Sequence, residues 1–212
     1  LEFRRVLFRS YWGDFADKKL KLSAGFFDIP STKAGTPDAD KMMSAARLQY
    51  DFWDAEPGYY LNGTYLGEKD ILAVAAAIND VDGNSVTNVD FLMEKKVAGG
   101  GAFTVEGEYI KYDKLGGYPA PDASVSSDGD SWYLMSSYLL PQPVGPGKLQ
   151  VLGKFGTSSY DGIGGASAID MDTTELNLNY IIKSFNAKVS LFYLDHSFSQ
   201  TGLDNSSIGV GV

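Results

Sequence analysis

Segments of alternating apolar and polar side chains recur from about residue 19 to the end of the chain. Residues 103–109 read FTVEGEY, and residues 187–193 read AKVSLFY. Side chains on a β-strand point to opposite faces with a period of two, so each segment has one apolar face and one face that carries polar groups. Strands of about 9–11 residues with this alternation can cross a bilayer as the tilted staves of a barrel.

The alternation predicts eleven strands separated by clusters of Gly, Asp, Asn and Pro. They span residues 19–29, 43–52, 58–66, 70–79, 87–96, 102–112, 131–140, 148–156, 172–183, 187–196 and 206–212. In an antiparallel meander every second connection lies at the same edge, and the short and long connections here alternate. Short turns at one edge and long loops at the other are typical of outer-membrane barrels. Two connections break the pattern: by parity 30–40 falls among the short turns and 54–58 among the long loops. Either the predicted strands are one too few or one too many, or this stretch is atypical.

The fold class that follows is all-β: an antiparallel up-and-down transmembrane β-barrel, incomplete, with about eleven strands of a larger barrel of about 16 strands. Bacterial single-chain barrels use even strand numbers, and the chain stops inside an alternating segment, so we expect a fragment. The first ten residues, LEFRRVLFRS, look like a translated sequencing adapter and carry three of the four arginines. We therefore treat 1–10 as non-native and 11–212 as the partial barrel domain, with the signal peptide of the full protein lost.

The phase of the alternation predicts which residues meet lipid and which line a pore. The expected lipid face comprises Leu20, Leu22, Ala46, Leu48, Tyr50, Phe52, Leu72, Val74, Val89, Phe91, Phe103, Val105, Leu149, Val151, Leu176, Leu178, Val189 and Leu191. The candidate pore-lining residues are Lys19, Lys21, Arg47, Gln49, Asp90, Glu94, Glu106, Glu108, Lys154, Glu175, Asn177, Asn179 and Lys188, with Asp51 and Ser190 in the same phase. A Lys or Arg that faces lipid at the bilayer midplane costs about 2–4 kcal/mol. Because many charged residues share one phase of the alternation, we expect that face to be in contact with water.

Aromatic side chains cluster at the ends of the predicted strands. They include Tyr59, Tyr60, Tyr109, Tyr112, Trp132, Tyr133, Tyr180, Phe192 and Tyr193. Such clusters are typical of the aromatic girdles at the two membrane interfaces. The alternative is that aromatic residues are simply good strand formers.

Composition and motifs indicate neither catalysis nor a cofactor. The chain has no Cys, and its net charge of −9 argues against a nucleic-acid partner. The single histidine, His196, follows Asp195, but no nucleophile motif accompanies it, and we interpret it as a residue of the barrel rim. Residues 79–85 imitate part of a calcium loop without the bidentate Glu at its twelfth position, so we expect a solvated loop and no metal site.

Several stretches resemble Gram-negative outer-membrane porins of the phosphate-selective porin O and P type. They are residues 47–52 (RLQYDF), 56–60 (EPGYY), 63–73 (GTYLGEKDILA), 145–150 (GPGKLQ) and 178–188 (LNYIIKSFNAK). The last stretch is similar to the penultimate hairpin of that family. The resemblance implies a homotrimeric pore in the outer membrane, surrounded by lipid. Phosphate-specific members line the pore with arginine and lysine, whereas Arg47 is the only arginine after residue 10, so a general porin fits better.

The first functional hypothesis is therefore a porin that lets small hydrophilic solutes or ions diffuse passively, with a loop folded inward over 113–130. Acids outnumber bases, so the lumen would favour cations, unless acidic loops account for the excess. The alternative is a secreted soluble β-sandwich binding module. A third hypothesis, a barrel enzyme, would depend on Asp195 and His196.

Overall fold

Each strand of the structure pairs antiparallel with its neighbours in the sequence. The computed structural model describes residues 9–28, 42–58, 63–81, 83–114, 125–162, 168–184, 186–199 and 202–211. These contain one sheet of eleven strands in the order β1 to β11. The strands are β1 (Arg9–Phe15), β2 (Leu20–Asp28), β3 (Met42–Asp51), β4 (Ile71–Val81), β5 (Asn84–Val97), β6 (Gly101–Tyr112), β7 (Val125–Val144), β8 (Gly147–Gly162), β9 (Ile169–Lys183), β10 (Ala187–Phe198) and β11 (Asn205–Gly211). The predicted all-β, antiparallel, up-and-down arrangement is confirmed.

The predicted set of strands differs from the structure in two places: one strand was not predicted, and one predicted strand is absent from the described residues. The sequence analysis places no strand before residue 19, yet β1 pairs with β2 from Arg9 opposite Phe26 to Phe15 opposite Leu20. Setting aside the first ten residues hid the start of β1, which includes Arg9 and Ser10. The predicted strand at 58–66 is wrong over its described residues 63–66, where the backbone is left-handed at Gly63 (φ 80°) and Leu66 (φ 53°). An extended strand cannot continue through such residues.

Adding one strand and removing another changes the side on which the early connections lie. At one end of the strands, here called the turn edge, lie the connections 16–19, 98–100, 145–146 and 184–186. At the opposite end of the strands, here called the loop edge, lie the connections 29–41, 113–124, 163–168 and 199–204. The polar stretch 30–40 thus falls on the loop edge, which removes the first parity conflict. The remaining exceptions are the two-residue turn 82–83 at the loop edge and the long connection 52–70 at the turn edge.

The two faces of the sheet differ sharply in chemistry. Cross-strand partners share a face, and the register sets Gln49, Ala75, Asp90 and Glu108 side by side on one of them. We call this the polar face and the opposite one the apolar face. Charged and amide side chains of the polar face are mostly buried or half-buried, whereas the apolar face is exposed, as with Val151 (53 %) and Leu176 (54 %). This distribution is the reverse of that in a soluble sheet, which buries its apolar face.

Among the described residues, buried hydrophobic side chains form two small clusters on the polar face. The first consists of Tyr65, Ile71, Ala73 and Leu92. The second consists of Ala102, Leu139 and Ile181, against which Leu66 packs. Both clusters include a residue of the connection 52–70, so this connection lies over the polar face and supplies the little apolar packing found there.

Candidate functional site

The residues predicted to line a pore lie on the polar face or at its margin. Twelve of the thirteen are strand residues that the register places on this face. The other, Lys19, lies in the turn between β1 and β2, with Nζ 3.4 Å from the carbonyl oxygen of Phe52. Side-chain contacts divide these residues into three groups along the sheet, and their role in a pore stays a prediction.

The first group centres on an ion pair between Arg47 on β3 and Asp90 on β5. Both terminal guanidinium nitrogens donate to the carboxylate, with Nη2 2.7 Å from Oδ1. The intervening strand β4 presents Ala75 and Ala77 at these positions, and their small side chains let the arginine pass. Asn88 Nδ2 donates to the same carboxylate at 3.2 Å. Bidentate pairing of this kind is both strong and geometrically specific.

Two more acids continue this group onto β6. Glu108 accepts a hydrogen bond from Asn88 Nδ2 at 2.7 Å, and Glu106 accepts one from the hydroxyl of Tyr133 on β7. Lys154 Nζ lies 4.4 Å from the centre of the Tyr133 ring, a cation–π contact. Sequence reasoning missed Tyr133 by assigning it to an interface girdle. The available signal was its neighbour Trp132, because adjacent strand residues must face opposite sides.

The second group lies under the connection 52–70 and is buried. Gln49 Nε2 donates to Asp51 Oδ1 and to Glu56 Oε2, each at 2.8 Å. The backbone N–H of Glu56 donates to Asp51 Oδ2, and the hydroxyl of Tyr65 donates to Glu56 Oε1, again at 2.8 Å. The predicted residues Gln49 and Glu94 therefore lie on the expected face but are covered. Glu56 and Tyr65 were not predicted, since their partners only become neighbours when the connection folds back.

The third group occupies β7 to β10. Gln150 links Ser137 and Asn179: its Nε2 donates to the serine hydroxyl at 3.1 Å, and its Oε1 accepts from Asn179 Nδ2 at 3.0 Å. A groove of about 430 Å³ adjoins them, and its walls include Glu175, Asn177 and Lys188. This part of the polar face combines the amides Gln150, Asn177 and Asn179 with charges of both signs, so it can bind water and polar solutes of either sign.

Asp70, the last residue of the connection 52–70, is hydrogen-bonded to β5. Asp70 accepts hydrogen bonds from the Lys95 ammonium and, at 2.9 Å, from the backbone N–H of Lys96. The hydrogen bond from Lys95, followed by that from Lys96, lowers the pKa of Asp70 below its ordinary value. Lys69 Nζ donates to the carbonyl of Ala55 at 3.0 Å, which ties the two ends of the connection together.

Asp195 and His196, the residues on which an enzyme would depend, point to opposite faces of β10. His196 Nδ1 lies 2.9 Å from Thr173 Oγ1, and Asp195 Oδ1 accepts from the hydroxyl of Tyr193 at 3.2 Å. An aspartate can orient a histidine base only when the two side chains meet. The arrangement gives these two residues no common site.

Residues 79–85, which resemble part of a calcium loop in sequence, contain the tight turn between β4 and β5. The backbone N–H of Gly83 is 3.4 Å from Asp80 Oδ1, and Asn84 Nδ2 donates to the carbonyl of Val81 at 3.2 Å. Asp82 lies outside the described residues. Within the part of the chain that the structure describes, no group of three or more His, Cys, Asp or Glu side chains could hold a metal ion.

The aromatic residues expected at the interfaces divide between the two faces. Tyr109, Trp132, Tyr180 and Tyr193 lie on the apolar face, but Tyr112, Tyr133 and Phe192 lie on the polar face. Tyr59 and Tyr60 are outside the described residues. Further exposed aromatics on the apolar face lie near the turn edge: Phe15, Tyr50, Phe103 and Tyr138.

Comparison with known proteins finds no match for the chain. The sequence matches no family model, no curated protein and no solved structure. Among the described residues, no helix is long and apolar enough to cross a membrane.

Proposed function

We propose that the chain is part of an outer-membrane β-barrel of a Gram-negative porin, similar to the phosphate-selective porin O and P type. Its polar face would line a water-filled channel for passive diffusion of small hydrophilic solutes or ions. Its apolar face would contact outer-membrane lipid, and the complete protein would assemble as a homotrimer. The observation that carries the proposal is the reversed distribution of side chains, polar ones sheltered and apolar ones exposed.

The physical argument rests on the size of the exposed apolar face. Large exposed side chains follow one another across neighbouring strands, among them Leu134, Val151, Leu178 and Leu191. A continuous apolar surface of this extent is unfavourable in water and marks contact with lipid or another protein. Charged side chains, in turn, are held on the opposite face, where lipid would not meet them.

The rival hypothesis, a soluble β-sandwich module, requires a second sheet packed on the apolar face. In the described part of the chain all eleven strands belong to one sheet, and the apolar face is left uncovered. This observation favours the barrel over the sandwich.

The proposed solute class is general rather than phosphate. Arg47, the arginine of the polar face, is already paired with Asp90, so its charge is balanced within the sheet. Glu106, Glu108 and Glu175 lie on the same face as Lys21, Lys154 and Lys188, so the charges of this face are mixed in sign. We therefore expect small neutral solutes and small ions to pass without a preference for phosphate.

The test is reconstitution of the complete protein, of which this chain would be part, into lipid vesicles, with swelling in solutions of sugars and salts as the measure of flux. Substitutions at two adjacent residues, one on each face of the sheet, test which face contacts lipid. Leu178→Arg puts a charge on the apolar face and should cost about 2–4 kcal/mol of folding in lipid. Asn177→Arg puts the same charge on the polar face and should fold normally.

Equal folding yields for the two variants, measured by protease protection in vesicles, would contradict lipid contact at the apolar face. Well-folded complete protein in vesicles without any flux would contradict the channel.

A further inference from the structure

Residues 63–70, here called the crossing segment, run across the polar face instead of following a strand. The segment leads into β4, yet Leu66 packs against Ala102 on β6, Leu139 on β7 and Ile181 on β9. Neighbouring strands are about 4.8 Å apart, so β4 and β7 are separated by about 14 Å along the sheet. The segment therefore spans several strands at the turn edge, over the polar face.

Glu94 on β5 holds the crossing segment by an unusual number of hydrogen bonds. Its Oε2 accepts from Thr64 Oγ1 at 2.7 Å and from the backbone N–H of Tyr65 at 2.8 Å, and its Oε1 accepts from the backbone N–H of Gly67 at 2.7 Å. Thr104 Oγ1, on the neighbouring strand β6, donates to Oε2 at 3.0 Å. The side chain is fully buried.

These contacts show why a carboxylate stands at this position. A buried charge is tolerated only when hydrogen bonds replace its hydration, and four donors converge here. Three of them belong to the crossing segment, so the charge of Glu94 is stabilised only while the segment stays in place. Loss of the carboxylate would leave the N–H groups of Tyr65 and Gly67 without this acceptor.

Two further contacts support the same placement of the segment. The hydroxyl of Tyr65 donates to Glu56, which is itself bound to Gln49 on β3. Gly67 adopts φ 81°, and a Cβ there would come within 3.1 Å of the carbonyl oxygen of Gly101. Only glycine allows the backbone to turn so close to β6.

We propose that the crossing segment is a fixed constriction at the turn edge of the channel and that Glu94 is the residue that positions it. The inference rests on the proposed function, because a constriction has meaning only in a pore. It assigns the size limit for solutes to residues 63–70, on the edge opposite to the long loops.

The experiment uses a cysteine at the segment, since the chain contains none of its own. In Leu66→Cys the thiol is packed against the cluster of Ala102, Leu139 and Ile181, so we expect slow reaction with a water-soluble maleimide. Adding Glu94→Ala should raise the labelling rate at least about tenfold, because hydrogen bonds to a charged group are lost and local opening becomes more frequent. The control, Asp172→Ala, removes an exposed acid near the loop edge of β9, far from the segment and outside the pore-lining set, and should leave the rate unchanged.

The same substitutions are made in the complete protein, which is reconstituted into vesicles, and swelling is measured with sugars of increasing size. Glu94→Ala should admit larger sugars than the parent or the Asp172→Ala control. Faster labelling with an unchanged size limit would overturn the constriction, and unchanged labelling would overturn the anchoring role of Glu94. Absence of flux in the parent would refute the proposed function and the constriction with it, whereas the labelling rates would still decide the anchor.

A milder variant covers the case in which Glu94→Ala does not fold. Thr64→Val keeps the shape of the side chain and removes one donor to Glu94, together with the hydrogen bond that Thr64 Oγ1 accepts from the backbone N–H of Leu66. It should increase labelling in the same direction by a smaller factor, about threefold to tenfold. Labelling equal to that of the parent in this variant would again contradict the anchor.

Discussion

Arg47 reaches across β4 to form a bidentate ion pair with Asp90 on β5. The pair joins two strands that are not neighbours, and it passes over Ala75 and Ala77 without a gap in the register. Both side chains are largely buried, with 18 % and 10 % of their surfaces exposed. The pair thus ties three strands together on the polar face.

Arg47→Met should destabilise the fold by about 1.5–3 kcal/mol, because it leaves the buried carboxylate of Asp90 without its charged donors. Urea unfolding in detergent micelles measures the change. The double variant Arg47→Met, Asp90→Leu should recover much of the loss, since no unpaired charge remains. A double variant as unstable as the sum of the two single changes would show that the residues act independently.

A larger side chain at position 75 should disrupt the route of the arginine. Ala75→Leu inserts bulk on the polar face between β3 and β5, and overpacking of this kind costs about 1–3 kcal/mol. Ala76 is the matched control, because it neighbours position 75 but lies exposed on the apolar face. Ala76→Leu should leave the urea midpoint nearly unchanged, and an equal effect of both substitutions would contradict the assignment of faces.

Two strand glycines should respond differently to replacement by alanine. A Cβ at Gly107 would lie 2.6 Å from Cε1 of Phe91, its cross-strand partner, whereas a Cβ at Gly153 would meet its nearest atom at 3.6 Å. Gly107→Ala should therefore destabilise the sheet by about 1–3 kcal/mol. Gly153→Ala should be neutral or stabilise it by about 0.5–1 kcal/mol, because alanine loses less backbone entropy. Thermal unfolding of the two variants side by side decides the point.

Stability should fall in acid partly because of Asp70. Its pKa is lowered in the folded protein, so its contribution is complete above the ordinary value of 3.8 and is lost as the pH falls through the lowered value. Asp70→Asn should therefore narrow the difference in urea midpoint between neutral and strongly acidic solution. Glu68→Gln, at an exposed acid of the same connection, is the control. An unchanged pH profile in Asp70→Asn would remove Asp70 from the acid response.

The period-two alternation was sufficient to predict the sheet and its faces. Leu48 and Gln49 are adjacent, and the structure exposes the first and buries the second, as their phase requires. The same rule would have separated Trp132 from Tyr133 and Phe192 from Tyr193, had it been applied to the aromatic pairs. The face of a strand residue is therefore readable from its neighbours alone.

The crossing segment could not be predicted in this way. Residues 58–66 show an alternation like that of a true strand, and the partner that bends them, Glu94, lies 27 to 30 positions away in the sequence. Glycine at both 63 and 67 was the local signal, because closely spaced glycines favour left-handed turns over extended chain. The inward loop predicted over 113–130 remains a prediction for 115–124, which lie outside the described residues, while 125–130 belong to β7.

The small side chains of β4 have a consequence for the order in which the sheet assembles. Residues 73–77 read AVAAA, and alanine favours helix over strand. The extended form of β4 therefore depends on pairing with β3 and β5, the two strands that Arg47 and Asp90 join across it. We expect β4 to be the last of these three strands to gain protection from hydrogen exchange during refolding.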